Sequence, residues 1–276
     1  MNRKVFAFDI DGTIINNKEV VHPNNIEAFI KAKEQGHVLV LCSGRPTFDM
    51  VPIHKQMPEG LFEYEICNNG AYVVDTKKKD EKIICGEISS EEALKLFELG
   101  EKYGILAALH TDVKVVRAFL GKEKDELFDK IVNAEWHKFT LSSKEELLDA
   151  AKNYHITQAS LRANAKIINQ VYEEALKSNP KDGDYHIAGE VYLDLNPVGI
   201  SKLSGIEKLS EMLNIPVKDF VVFGDSGNDL QMLEGAGWGV AMGNATQQAK
   251  DVADEVIGDN STDAIGKKML EILKGE

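Results

Sequence analysis

Near the start of the chain, Val5-Phe6-Ala7-Phe8 runs directly into Asp9-Ile10-Asp11-Gly12-Thr13. A short, wholly apolar run broken by Asp-Gly fits a strand buried on both faces, as in a parallel sheet. A helix is expected next, with Pro23 near its start, Ile26, Phe29 and Ile30 on one face, and Gly36 placed to end it. His37-Val38-Leu39-Val40-Leu41-Cys42 repeats the buried-strand pattern and is punctuated by Ser43-Gly44, and Pro46 suits the first turn of another helix. Alternating strand and helix predicts an α/β fold, a Rossmann-like, doubly wound parallel sheet.

The pattern changes beyond the polar turn Lys77-Lys78-Lys79-Asp80-Glu81. Ser89 to Tyr103 reads as a helix capped by Ser89, with Glu91 and Glu92 in its first turn. Ile105–His110 and Val113–Phe119, joined by Thr111-Asp112, read as a hairpin, which is antiparallel by construction. Helices are expected at about 122–133, 143–153 and 165–178, with a strand near 156–162. From about residue 190 the first pattern returns. Val191 to Leu195 reads as a strand, Leu203 to Leu213 as a helix, and Phe220-Val221-Val222-Phe223 as a buried strand stopped by Gly224-Asp225. The expected division is a core of residues 1–83 and 188–276, interrupted by an α+β module at 84–187.

The 276 residues, 43% of them hydrophobic and 28% charged, suit one large or two smaller globular domains. A net charge of −13 would repel nucleic acid and anionic lipid, so neither is an expected partner. It would repel a phosphorylated ligand too, so any phosphate site needs local positive charge. Cys42, Cys67 and Cys85 form neither a disulfide framework nor a zinc motif, and the apolar run before Asp9 is too short for a signal peptide. A reducing, cytoplasmic setting is the expectation.

Asp9 and Asp11 are two residues apart on an extended segment, so both can face one site, where a strand of an open α/β sheet ends. A second acidic cluster, Gly224-Asp225-Ser226-Gly227-Asn228-Asp229, ends another buried strand. Two such clusters point to a hard cation with oxygen ligands, of which magnesium is the natural choice. Ser43-Gly44, at a third strand end, offers a hydroxyl and main-chain N–H groups to a phosphate. Lys202, just before a helix, can offset the charge of phosphate and carboxylates.

Asp-x-Asp-Gly-Thr, Ser-Gly-Arg, Lys and Gly-Asp-x-x-Asn-Asp, in that order, resemble the haloacid dehalogenase (HAD) superfamily. The inserted module, together with Asn68-Asn69-Gly70-Ala71 and Val240-Ala241-Met242-Gly243-Asn244-Ala245, is similar to the Cof-type branch with a C2B cap. The resemblance spans nearly the whole chain. It implies a magnesium-dependent phosphatase of small phosphorylated metabolites, with Asp9 as nucleophile forming an aspartyl phosphate and Asp11 as acid, then base. It further implies magnesium held by Asp9, the Asp11 main-chain carbonyl and Asp225, with Asp229 orienting the metal's waters or Lys202. Ser43, Gly44 and Asn228 would contact the phosphate and Lys202 would neutralise it. Where the family often has Gly after the Lys, this chain has Leu203.

The alternatives are a phosphomutase, which shares the aspartyl phosphate, and a non-catalytic phosphometabolite-binding protein, which would be expected to have lost Asp9 or Asp11. Gly235-Ala236-Gly237-Trp238-Gly239 lacks the spacing of a dinucleotide loop, and the seven histidines form no HExxH pattern. His110, Asp112, Arg117 and Arg162 are the polar residues of the insert on or near expected strands.

Overall fold

Phe8 lies at the centre of the first hydrophobic core. Its ring stacks on Phe223 at 4.9 Å and meets Phe29 at 5.0 Å and Phe62 at 5.9 Å, and all four residues are buried. The computed structural model describes residues 3–78, 81–121, 140–178, 180–188 and 191–275. In chain order the elements begin with β1 (Val5–Phe8), α1 (Pro23–Glu34), β2 (Val38–Cys42), α2 (Val51–His54), β3 (Tyr64–Cys67), β4 (Tyr72–Asp75) and β5 (Lys82–Ile84). They continue with α3 (Ser90–Tyr103), β6 (Leu106–Thr111), β7 (Val115–Phe119), α4 (Lys144–Asn153), β8 (Ile156–Arg162), α5 (Ala165–Ala175), β9 (Gly183–Ala188) and β10 (Tyr192–Pro197). Last come α6 (Lys202–Leu213), β11 (Phe220–Gly224), α7 (Leu230–Gly235), β12 (Trp238–Ala241), α8 (Gln247–Val252), β13 (Glu255–Val256) and α9 (Ala264–Lys274). No helix among the described residues is long and apolar enough to cross a membrane.

Residues Met1–Cys85 and Ile200–Glu276 form one compact unit, and Gly86–Gly199 form another. The sheet of the first unit has the order β13-β12-β11-β1-β2-β3-β4-β5. It is parallel from β13 to β3 and antiparallel from β3 to β5. The register pairs Phe8 with both Leu41 and Phe223, so β1, β2 and β11 end side by side. This is the expected α/β sheet. The stretch after Pro46 differs from the expected helix: it forms a short 3-10 segment, Thr47–Met50, and then the single turn of α2.

The second unit is a five-stranded antiparallel sheet in the order β7-β6-β8-β10-β9. Side chains alternate across it. Ala107, Leu109, Ala159, Leu161, Leu193 and Leu195 form a core with Leu96 and Phe97 of α3, Leu147 of α4 and Val171 of α5. Ser89, Ser143 and Asn164 cap α3, α4 and α5, each accepting a main-chain N–H with its side chain. The strand expected at Val191–Leu195 is present as β10, but it pairs antiparallel with β8 and β9 rather than joining the parallel sheet. The second junction between units therefore falls at Gly199/Ile200 rather than near 188. The helix expected at about 122–133 lies outside the described residues.

Candidate active site

The chain ends of β1, β2 and β11 gather the acidic and hydroxyl residues at one edge of the first sheet. Asp9 follows β1, and its main-chain N–H donates to the Phe223 carbonyl at 2.9 Å, which ties it to β11. Lys202 begins α6, whose N-cap Ser201 forms a reciprocal capping box with Ser204. The whole Lys202 side chain is buried, and its ammonium donates to Asp9 Oδ1 at 2.5 Å and to Asp229 Oδ1 at 2.6 Å. The Leu203 that follows does not displace it: Lys202 is the first residue of the helix.

The carboxylates differ in what remains free. Both oxygens of Asp229 are engaged: Oδ1 takes Lys202 while Oδ2 accepts the main-chain N–H groups of Asp225 at 2.9 Å and Ser226 at 3.0 Å. Asp9 Oδ2 and Asp225 Oδ1 are buried without hydrogen-bond partners. Ligand oxygens of Asp9, Asp225 and Asp229 lie within 4.8 Å of one another. Three carboxylates against one ammonium leave an excess of negative charge that a divalent cation would offset. The two orphaned oxygens are the natural ligand positions. The residues thus fit a magnesium ion held by Asp9 and Asp225, with Asp229 acting through Lys202 and the 225–226 main chain.

The electrostatics carry the same message. Burial pushes the Asp9 carboxyl up to about 7 against the pull of Lys202, with Asp229 and Asp225 adding to the rise. Burial, then Asp229, also pushes Asp225 up, to about 6. For Lys202, burial opposes the charge, but Asp9 and Asp229 outweigh it and hold the ammonium above its ordinary range.

Gly12 lets the loop after β1 fit this cluster. Its φ is +83°, and a Cβ there would collide with the Asp225 carboxylate, so both backbone and space require glycine. Asn244 Nδ2 donates to the Gly12 carbonyl at 2.7 Å, which fixes the loop from the other side. Asp11 points outward, with 58% of its side chain exposed, and Arg45 grips it with a two-pronged contact, Nε to Oδ2 at 2.7 Å and Nη2 to Oδ1 at 2.5 Å.

Ser43 is buried, and its hydroxyl accepts the Arg45 N–H at 3.1 Å. Gly44 lies against the Asn69 amide, whose Oδ1 accepts from Asn228 Nδ2 at 2.9 Å. Asn68 and Asn69 both adopt left-handed φ, 46° and 55°, and their N–H groups donate to Arg45 and Ser43 carbonyls. Asn tolerates that conformation better than most residues. Gly70 follows with φ +100°, and a Cβ there would strike the Ser201 carbonyl, so the 68–70 turn packs closely on the cap of the Lys202 helix. The expected residues therefore fall into three connected groups: Asp9, Lys202, Asp225 and Asp229 in a buried centre, Asp11 on its outer side with Arg45, and Ser43, Gly44 and Asn228 joined through Asn69. Arg45, Asn69 and Asn244 sit inside the quoted motifs, yet spacing alone assigns them no task.

This geometry agrees with what the chain resembles among known proteins. A model of the haloacid dehalogenase-like hydrolases matches residues 6–269. The chain belongs to that family. Within it, the chain is 29% identical to the pyridoxal phosphate phosphatase YbhA of Escherichia coli (strain K12) over 97% of each chain. It is 27% identical to the phosphatase YwpJ of Bacillus subtilis (strain 168), covering 98% of this chain and all of that one. Among solved structures, a haloacid dehalogenase-like hydrolase from Bacteroides thetaiotaomicron matches with a TM-score of 0.84 at 26% identity, over 98% of this chain and 100% of the other. A HAD subclass IIB sugar phosphatase matches with a TM-score of 0.78 at 25% identity, over 98% of each. The family and these relatives place the chain among the HAD-type phosphatases.

Proposed function

We propose that this phosphatase is magnesium-dependent, hydrolyses small phosphorylated metabolites and works through a covalent aspartyl phosphate on Asp9. The observation that carries the reading is the division of the Asp9 carboxylate: Oδ1 is held by Lys202 at 2.5 Å, and Oδ2 is buried without a partner. Lys202 orients the nucleophile and lowers its repulsion from a phosphate dianion. Magnesium, held by Asp9, Asp225 and the Asp11 carbonyl, would supply the remaining positive charge beside the phosphoryl oxygens.

A carboxylate oxygen of Asp9 attacks phosphorus, and the ester P–O bond breaks. Asp11 gives its proton to the leaving oxygen, and the alcohol departs. Asp11 then takes a proton from water. The water oxygen bonds to phosphorus, the bond to Asp9 breaks, and inorganic phosphate is released. Because the Arg45 fork engages both Asp11 oxygens, one of them must be freed before Asp11 can serve the leaving group. Ser43, the Gly44 N–H and Asn228 are assigned to the phosphate oxygens. Residues of the second unit are assigned to substrate choice, as a cap, and none of the residues named in these steps comes from that unit.

Phosphate release from a generic aryl phosphate should require magnesium and stop with EDTA, and calorimetry should show one magnesium bound per chain, with binding lost in Asp225→Asn. Full turnover in metal-free buffer would sink the metal assignment.

A further inference from the structure

Beyond β12, residues 242–246 form a loop that is bonded to both sides of the acidic centre. Its main chain is tied to the end of β11: the Met242 N–H donates to the Gly224 carbonyl at 3.0 Å and the Thr246 N–H to the Asp225 carbonyl at 2.8 Å. Its own shape is held by the Gly243 N–H on the Gly258 carbonyl at 2.9 Å and by the Lys250 ammonium on the Gly243 carbonyl at 2.6 Å. From this loop the Asn244 side chain reaches the end of β1, where Nδ2 donates to the Gly12 carbonyl at 2.7 Å. Asn244 Oδ1 accepts the Asn260 main-chain N–H at 2.9 Å. A main-chain N–H can only donate, so it fixes which end of the amide is oxygen and turns the other end to Gly12. The buried Asn260 side chain donates in turn to the Ile15 carbonyl at 2.8 Å. The loop after β1 is thereby held at two carbonyls, Gly12 and Ile15.

Asn244 is exposed, and an exposed asparagine with two hydrogen bonds ordinarily contributes little to stability. Its target gives it more weight. Gly12, with φ +83°, is the residue type with the greatest backbone freedom. It directly follows Asp11, whose carbonyl belongs to the proposed magnesium site. A hydrogen bond on the Gly12 carbonyl removes rotation that the glycine would otherwise allow. Gly12 also lies against the Asp225 carboxylate, with no room for a Cβ between them. A rotation of the Gly12 backbone would therefore shift the Asp11 carbonyl relative to Asp225.

We propose that Asn244 is a positioning residue, which fixes the Asp11–Gly12 main chain beside Asp225 so that the two halves of the metal site stand in register before an ion arrives. The geometry rests on the hydrogen bonds, and the consequence for the ion rests on the magnesium reading. Asn244 is assigned no contact with ion or substrate and acts through the Gly12 carbonyl, as groups that orient metal ligands commonly do.

The test uses Asn244→Ala in the full chain. Without metal, hydrogen exchange at the Thr13, Ile14 and Ile15 amides, which donate to the Ile10, Asp9 and Ile10 carbonyls, should quicken by about 3- to 10-fold. Calorimetry should show magnesium bound about tenfold more weakly. The control is Asn24→Ala, which removes another exposed asparagine bond, Nδ2 to Asp263 Oδ2 at 3.2 Å, and should change neither quantity. Unaltered exchange at the three amides, unaltered magnesium affinity beside a wild type that binds the ion, or equal changes in the control each overturn the proposal. If the wild type binds no magnesium, the metal reading fails separately, and the exchange rates alone decide whether Asn244 positions the loop.

Discussion

The two sheets of this chain carry chemistry in different places. In the parallel sheet, β1, β2 and β11 are buried along their whole length, so polar groups can stand only where the strands end. Asp9, Ser43 and Asp225 all stand there. In the antiparallel sheet one face packs on helices and the other is left to polar side chains, so Arg117, Ser160 and Asp194 stand in mid-strand. A parallel sheet focuses a few groups on a point, whereas an antiparallel sheet spreads them over a surface. The first arrangement suits one reaction held constant, and the second suits a recognition surface that changes by single substitutions.

Replacing the nucleophile should have the largest effect. Asp9→Asn should lower turnover by about a thousandfold or more and yield no acid-stable phosphoenzyme in a quench assay. Near-normal turnover would remove the covalent route. Lys202→Met should come next. It leaves two buried carboxylates without their shared cation, so turnover should fall by roughly 100- to 1000-fold. Unfolding free energy should fall by about 3–5 kcal/mol, as measured by urea denaturation. A variant as stable as the wild type would mean that the buried centre is less tightly coupled than its geometry indicates.

Asp11→Asn should act selectively, because a poor leaving group needs protonation and an aryl oxide does not. The loss on an alkyl phosphate should exceed that on an aryl phosphate by about tenfold or more, and equal losses would place Asp11 outside proton transfer. The smallest effect belongs to the second sheet. The Asp194 carboxyl is raised from 3.8 to about 7 by burial, so its neutral form favours the folded state. That contribution is fully present below about pH 4 and is lost as pH rises through about 7. Asp194→Asn should therefore gain stability relative to the wild type across that window, by about 1 kcal/mol or more. A stability difference that does not vary with pH would show that the carboxyl is solvated.

The paired apolar run and acidic motif at residues 5–13 is legible because a doubly buried strand has no polar residues until it ends. The same holds for 220–225. β10 is different. Its apolar residues Leu193 and Leu195 alternate with Tyr192, Asp194 and Asn196, the mark of a half-buried strand, and its neighbours are β8 and β9 rather than the parallel strands. Proximity in sequence to the returning core pattern misplaces it, whereas its period of two agrees with its true position. The turn at Asn68-Asn69-Gly70 is legible as a motif, but its task of joining Ser43, Gly44 and Asn228 depends on left-handed backbone that no side-chain pattern specifies.

Local sequence determined which residues end the buried strands, where helices start, and which family the order of motifs resembles, because hydrophobic burial and capping act over a few neighbouring residues. The tertiary structure alone decided that Lys202 lies between Asp9 and Asp229, that Asp9 Oδ2 and Asp225 Oδ1 remain free, that Arg45 holds Asp11, and that Arg117, Ser160 and Asp194 share one row of a sheet. Lys202 reaches Asp9 across 193 positions of chain. Contacts over such distances follow from strand order and register, which no segment specifies by itself, since each is set by the packing of the whole sheet.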